Sequence, residues 1–154
     1  LRKARVIAVC GRSKMDRVSE LGADAVLARE VAAVPDAAIE AAEGPVDVVA
    51  DIVGGDDVVG WLDALRRGGR YVTAGAIAGP IVPLDLRTLY LNDLELYGAT
   101  VFGPQVFADL IDHVDAGRIT PIVDATFPLE AIHAAQAAFE AKAHVGALVI
   151  DLTA

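Results

Sequence analysis

Four short apolar runs, each ending in a glycine-containing turn, limit what this chain can fold into. Residues 6–9 run into Cys10-Gly11-Arg12-Ser13-Lys14, and residues 46–51 into Ile52-Val53-Gly54-Gly55. Residues 70–74 run into Gly75-Ala76-Ile77-Ala78-Gly79-Pro80, and residues 94–97 into Gly98-Ala99-Thr100-Val101-Phe102-Gly103. Continuous β-branched runs mark strands of a parallel sheet buried on both faces. Ligands of such sheets bind beyond the carboxyl ends of the strands. The sequence therefore offers four ligand-facing loops in series. It contains no G-x-G-x-x-G, the glycine-rich phosphate loop that should precede them.

Helical signals alternate with these runs. The pattern predicts helices over 14–21, 35–43, 56–66, 85–92 and 104–116, with Ser13 as N-cap of the first and Gly22 as its C-cap. Pro35 is tolerated at the start of the second, and Gly68-Gly69 closes the third. A further strand covers 25–27. The apolar stripe of the fifth helix is Phe107, Leu110, Ile111 and Val114. Alternation of strand and helix is the signature of a doubly wound α/β sheet. After Gly117 the pattern changes to a strand at 123–127, an alanine-rich helix at 129–142 and a strand at 147–152. The chain divides on this reading at residues 1–118 and 119–154.

Composition excludes several classes. With 55% hydrophobic residues in 154, disorder is excluded and one domain core can be buried. A net charge of −9 speaks against nucleic acid or an anionic membrane as partner. Cys10 is the single cysteine, so no internal disulfide and no Cys-rich zinc site can form. His113, His133 and His144 stand apart in sequence, with no metal-ligand spacing. No apolar stretch reaches the ~20 residues of a membrane span, and the expectation is a cytoplasmic protein. Leu1 in place of a start Met suggests a processed or truncated product.

Several stretches together resemble one family. They are Arg5-Val6-Ile7-Ala8-Val9, Glu20-Leu21-Gly22-Ala23-Asp24, residues 46–55, residues 62–72, residues 86–94, Gly117-Arg118-Ile119-Thr120-Pro121, Thr126-Phe127-Pro128-Leu129 and His144-Val145-Gly146. In order and spacing the chain resembles the C-terminal part of the medium-chain dehydrogenase/reductase superfamily. It is nearest to zinc-independent quinone oxidoreductases and NADPH-dependent enoyl reductases. The resemblance implies a Rossmann-type doubly wound parallel sheet lacking its first strand and glycine-rich loop, plus a C-terminal strand-helix-strand segment. In the family that segment packs on the catalytic domain. The absent first strand would leave a hole in the sheet unless another chain fills it or the sheet closes up. The family's usual Lys after the glycine of the last strand is Ala147 here.

The resemblance also implies roles. Arg12, Ser13 and Lys14, with no acid before Asp16, suit the 2′-phosphate of NADPH. Val53 and Gly54 would pass a ribose closely, since glycine has no Cβ. Gly75, Ala76 and Ile77, with Thr100, Val101 and Phe102, would face the nicotinamide. Asp51 reads as a hydrogen-bonded structural carboxylate and Trp61 as helix packing. No residue reads as catalytic, and none as a metal ligand. The implied activity is the cofactor half of an NADPH-dependent reduction of a quinone or enone, inactive in the isolated chain, with a homodimer formed through the strand at 94–98. The alternatives are a non-catalytic dinucleotide-binding or interaction module, or a stable fragment of a zinc-type alcohol dehydrogenase.

Overall fold

The computed structural model describes residues 3–153. Strands and helices alternate as β1 (Ile7–Cys10), α1 (Met15–Glu20), β2 (Ala25–Ala28), α2 (Val34–Ala42), β3 (Val46–Asp51), α3 (Asp57–Ala64) and β4 (Leu65–Thr73). There follow α4 (Leu86–Leu91), β5 (Glu95–Gly98), α5 (Pro104–Asp115), β6 (Val123–Pro128), α6 (Ile132–Glu140) and β7 (Ala147–Asp151). All strand pairs are parallel, and they form three separate sheets: β1-β2, β3-β4-β5 and β6-β7. The α/β class and parallel sheets are those expected. The sheet does not close up between β1 and β3. Among the described residues β1 pairs only with β2, and β3 only with β4. Helix α2 lies against β1, β2 and β3.

The core lies on one face of the three-stranded sheet. Val49 and Tyr71 face the same way, since they are partners in register. They pack with Val58, Leu62, Leu65 and Leu94, flanked by Val46, Trp61, Val82 and Leu89. The opposite face is open: Val48 is 49% exposed, and Arg70, Glu95 and Tyr97 also lie there in register or alternation. The expectation of strands buried on both faces is thus corrected. A parallel strand is covered twice only when helices lie on both sides. Here α3 and α4 cover one side, while α5 buries none of its residues. Its stripe of Phe107, Leu110 and Ile111 remains exposed.

Three local readings are also corrected. Ser13 does not cap a helix. It lies within a 3-10 turn, Arg12–Lys14, which Lys14 N–H closes on the Gly11 carbonyl at 2.9 Å, and its hydroxyl makes no capping bond. Helix α3 ends at Ala64 rather than at a glycine stop. The chain passes directly into β4, and Gly68-Gly69 form an irregularity inside that strand, where the register against β3 shifts. Leu94, expected in the dimer-forming strand at 94–98, precedes β5 and is buried in the core.

Among the described residues the last unit, β6–α6–β7, pairs only with itself. Phe127 and Ile132 are half-buried, whereas Leu129 and Phe139 are exposed. One described hydrogen bond joins it to the first sheet: Lys14 Nζ donates to the His144 carbonyl at 2.7 Å.

Candidate functional site

The loops after β3, β4 and β5 meet at the carboxyl end of the three-stranded sheet. Ala74 N–H donates to the Asp51 carbonyl at 2.9 Å, and Ala99 N–H to the Thr73 carbonyl at 2.8 Å. Beyond them Ala78 N–H donates to the Val53 carbonyl at 2.9 Å and Gly55 N–H to the Gly79 carbonyl at 3.1 Å. Residues 53–55 and 76–79 are therefore one hydrogen-bonded surface. Two glycines make the approach possible. Gly54 has φ +67° and a Cβ there would lie 3.0 Å from the Ala76 Cα; one on Gly75 would lie 2.6 Å from the Ile52 carbonyl oxygen.

Asp51 supports this surface from beneath. It is a buried carboxylate at the end of β3. It accepts from Val53 N–H at 2.7 Å, from Gly54 N–H at 3.2 Å and from the Tyr71 hydroxyl at 2.5 Å. The structural role read from the sequence is what the structure shows. Burial, then the hydrogen bond and negative charge of Asp51, pushes the Tyr71 phenol well above the ordinary tyrosine range. The phenol therefore remains a donor throughout the neutral range.

The folded state holds the Tyr71 proton more tightly than the unfolded chain, whose phenol titrates near 10.0. Stability from this pair is fully present below that pH and lost as pH rises through the folded-state value. Urea unfolding of wild type and Tyr71→Phe, compared at about pH 9 and about pH 11, should show the wild type losing more stability between the two. Equal losses would mean that Tyr71 titrates normally.

The other residues at this end are exposed. Ile77 is 90% and Val101 91% accessible, and Thr100 also stands in solvent. Phe102 is tied to the first turns of α5, its ring stacked on Phe107 with centroids 6.2 Å apart. A half-open apolar cavity of about 320 Å³ lies between Val58 and Leu62 of α3, Tyr71 and the chain at Pro80–Val82. Gly54 and Ala76 border it, but Ile77, Val101 and Phe102 do not.

The basic turn after β1 is a second cluster. Arg12 and Ser13 are exposed. Lys14 keeps two ammonium protons free of its bond to His144. From the end of β2, Arg29 and Glu30 reach the same turn. Glu30 Oε2 accepts Arg12 N–H at 3.2 Å, and its other oxygen lies 3.4 Å from Arg29 Nε. Its own backbone N–H first, with Arg12 N–H and the Arg29 charge, holds the Glu30 carboxyl below the usual carboxylate range against desolvation. Reasoning from sequence missed this pair. The signal was present, since Arg29 and Glu30 also follow a strand's carboxyl end. An acid thus stands beside the turn where none was expected.

Among the described residues no three His, Cys, Asp or Glu side chains come together in a metal site. These residues accordingly present no ligand set for zinc. His144 stacks on Phe139 at 5.6 Å, and Trp61 packs against the core as expected. No helix among the described residues is long and apolar enough to cross a membrane.

The zinc-binding dehydrogenase family matches residues 21–150. A protein of Sinorhizobium meliloti 1021 that carries the name alcohol dehydrogenase is 44% identical. It superposes with a TM-score of 0.84 over 94% of this chain and 41% of its own length. The cobalt- and zinc-bound thermostable alcohol dehydrogenase of Pyrobaculum aerophilum is 35% identical, with a TM-score of 0.76 over 96% of this chain and 42% of its own. A 2-octenoyl-CoA carboxylase reductase in complex with NADP, 21% identical with a TM-score of 0.83, shares the fold. None of the curated proteins compared matches the chain. This chain thus spans less than half the length of those solved structures. On the extent of the match the chain belongs to the zinc-binding dehydrogenase family, and through it to the medium-chain dehydrogenase/reductase superfamily.

Proposed function

We propose that this chain is the nucleotide-binding portion of an NADPH-dependent oxidoreductase acting on a quinone or enone. The observation that carries this reading is the hydrogen-bonded surface of residues 53–55 and 76–79 at the carboxyl ends of β3 and β4, where glycines hold the backbone bare. Bound there, NADPH supplies a hydride to the acceptor. The chain's own contribution is positioning. Val53 and Gly54 pass the ribose, while Gly75, Ala76 and Ile77 and Thr100, Val101 and Phe102 border the nicotinamide. Arg12, Ser13 and Lys14 receive the 2′-phosphate, with Arg29 adding charge, and the phosphate takes the place of Glu30 on Arg12 N–H. No residue of the loops bordering the nicotinamide is placed to deliver a proton, so the isolated chain is expected to be inactive, and with no glycine-rich phosphate loop in its sequence its nucleotide binding is expected to be weak. The medium is the cytoplasm. Calorimetric titration with NADPH and with NADH tests the reading: measurable, NADPH-selective binding supports it, and absence of binding by both overturns it.

The same reading includes a homodimer. β5 is the outer strand of its sheet, bonded among the described residues only to β4, and Leu96 is 40% exposed on it. An open edge of this kind associates readily. The guard is weak: Glu95 is the one charge on β5, and Tyr97 hydroxyl donates to it. Light scattering at rising micromolar concentration should give a dimer mass, and Leu96→Pro, which removes a ladder donor, should return it to monomer. A wild-type monomer at every concentration refutes the assembly.

A further inference from the structure

We infer that Tyr71 and Asp51 are positioning residues for the dinucleotide, acting through the backbone of Val53 and Gly54. The inference rests on the nucleotide reading above and goes beyond it, because neither side chain stands in the loops that meet the cofactor.

The geometry is a relay from core to surface. Tyr71 lies on β4 among Val49, Val58 and Leu62, and its hydroxyl reaches Asp51 Oδ2 at 2.5 Å. Asp51 in turn fixes the two amides that follow Ile52, at 2.7 and 3.2 Å. The Gly54 conformation so held, φ +67°, brings its backbone against Ala76 and into a bridge with Gly79. Two loops are thus set by one carboxylate, and the carboxylate is set by one phenol. Neither Val53 nor Gly54 has another described side-chain partner, and the loop's remaining described backbone bonds run to residues 78–79 and, from the Gly55 carbonyl, to Val58 N–H at 3.2 Å. Removing the phenol takes the shorter bond from Asp51 Oδ2 and leaves that oxygen only the Gly54 N–H at 3.2 Å, so the carboxylate is held less firmly against the amides. A loop released in this way must be ordered again by the ligand, which lowers affinity in proportion to the fraction of molecules no longer in the binding form. The basic turn at Gly11–Lys14 has no bond to Asp51 or Tyr71 among the described hydrogen bonds, so its own binding should be untouched.

The test uses Tyr71→Phe and Asp51→Asn in the full chain, with two probes. NADPH spans the whole proposed site, whereas adenosine 2′,5′-bisphosphate reaches only the basic turn. Both variants should weaken NADPH about fivefold or more and leave adenosine 2′,5′-bisphosphate unchanged. Without any ligand, amide exchange at Val53 and Gly54 should quicken in both variants, while amides of α3 keep their protection. Unchanged exchange at Val53 and Gly54 overturns the inference, as does equal weakening of both probes, which would mark a general loss of stability. Wild type that binds both probes, with Tyr71→Phe matching it, overturns the relay alone. Wild type that binds neither probe overturns the nucleotide reading and the relay with it.

Discussion

Replacing Arg12 by Ala should raise the dissociation constant for NADPH about tenfold to a hundredfold and leave NADH unchanged. A lost charge-assisted hydrogen bond is worth ~1.5–3 kcal/mol, which sets that range. The structure adds a competitor to the sequence argument. Glu30 already occupies Arg12 N–H, and Arg29 lies against the same carboxylate. If Glu30 instead holds the two ribose hydroxyls of NADH, the preference reverses and Arg12→Ala affects both cofactors equally. Calorimetry with the two cofactors on wild type and Arg12→Ala separates these outcomes, and equal losses sink the 2′-phosphate assignment.

The second large effect is on stability. Leu62 is 4% exposed, packed between α3 and the sheet at the centre of a core that covers one face only. Leu62→Ala should destabilise the chain by about 2–5 kcal/mol, the lost transfer energy plus the cavity left behind. The half-open cavity already bordering Leu62 would enlarge rather than collapse. A lower urea midpoint for the transition of the β3-β4-β5 unit, with that transition's m value unchanged, is the expected signature. A midpoint within experimental error of wild type would mean that this face is not the core.

Much of the fold was legible because its signals are local. The strand Val46–Asp51 coincides with its apolar run, and Asp85 caps α4 as its residue type allows. What sequence misjudged depends on neighbours. The run at residues 46–51 predicts cover on both faces, yet Val48 is 49% exposed, on the face away from the core. Gly68-Gly69 signals a turn in either reading; only pairing with β3 decides that the turn falls inside a strand. At the candidate site the sequence found the loops from strand ends alone. It could not find Arg29 and Glu30, whose relevance comes from β2 lying beside β1. Asp51 was read as structural, but its phenol partner lies twenty positions away and becomes visible only through the β3-β4 register.

The unpaired edges of β1 and β3 bear on how order spreads through the molecule. Cooperative unfolding requires that the loss of one part penalise its neighbour, and in a sheet the backbone ladder transmits that penalty. Among the described residues no ladder crosses from β1 to β3, so α2, lying against both, is the main bearer of any coupling between them. The two halves then behave as separate melting units with a soft joint, and the β6–α6–β7 unit as a third. Heat would take such a molecule apart in stages, and a single transition temperature would describe none of them.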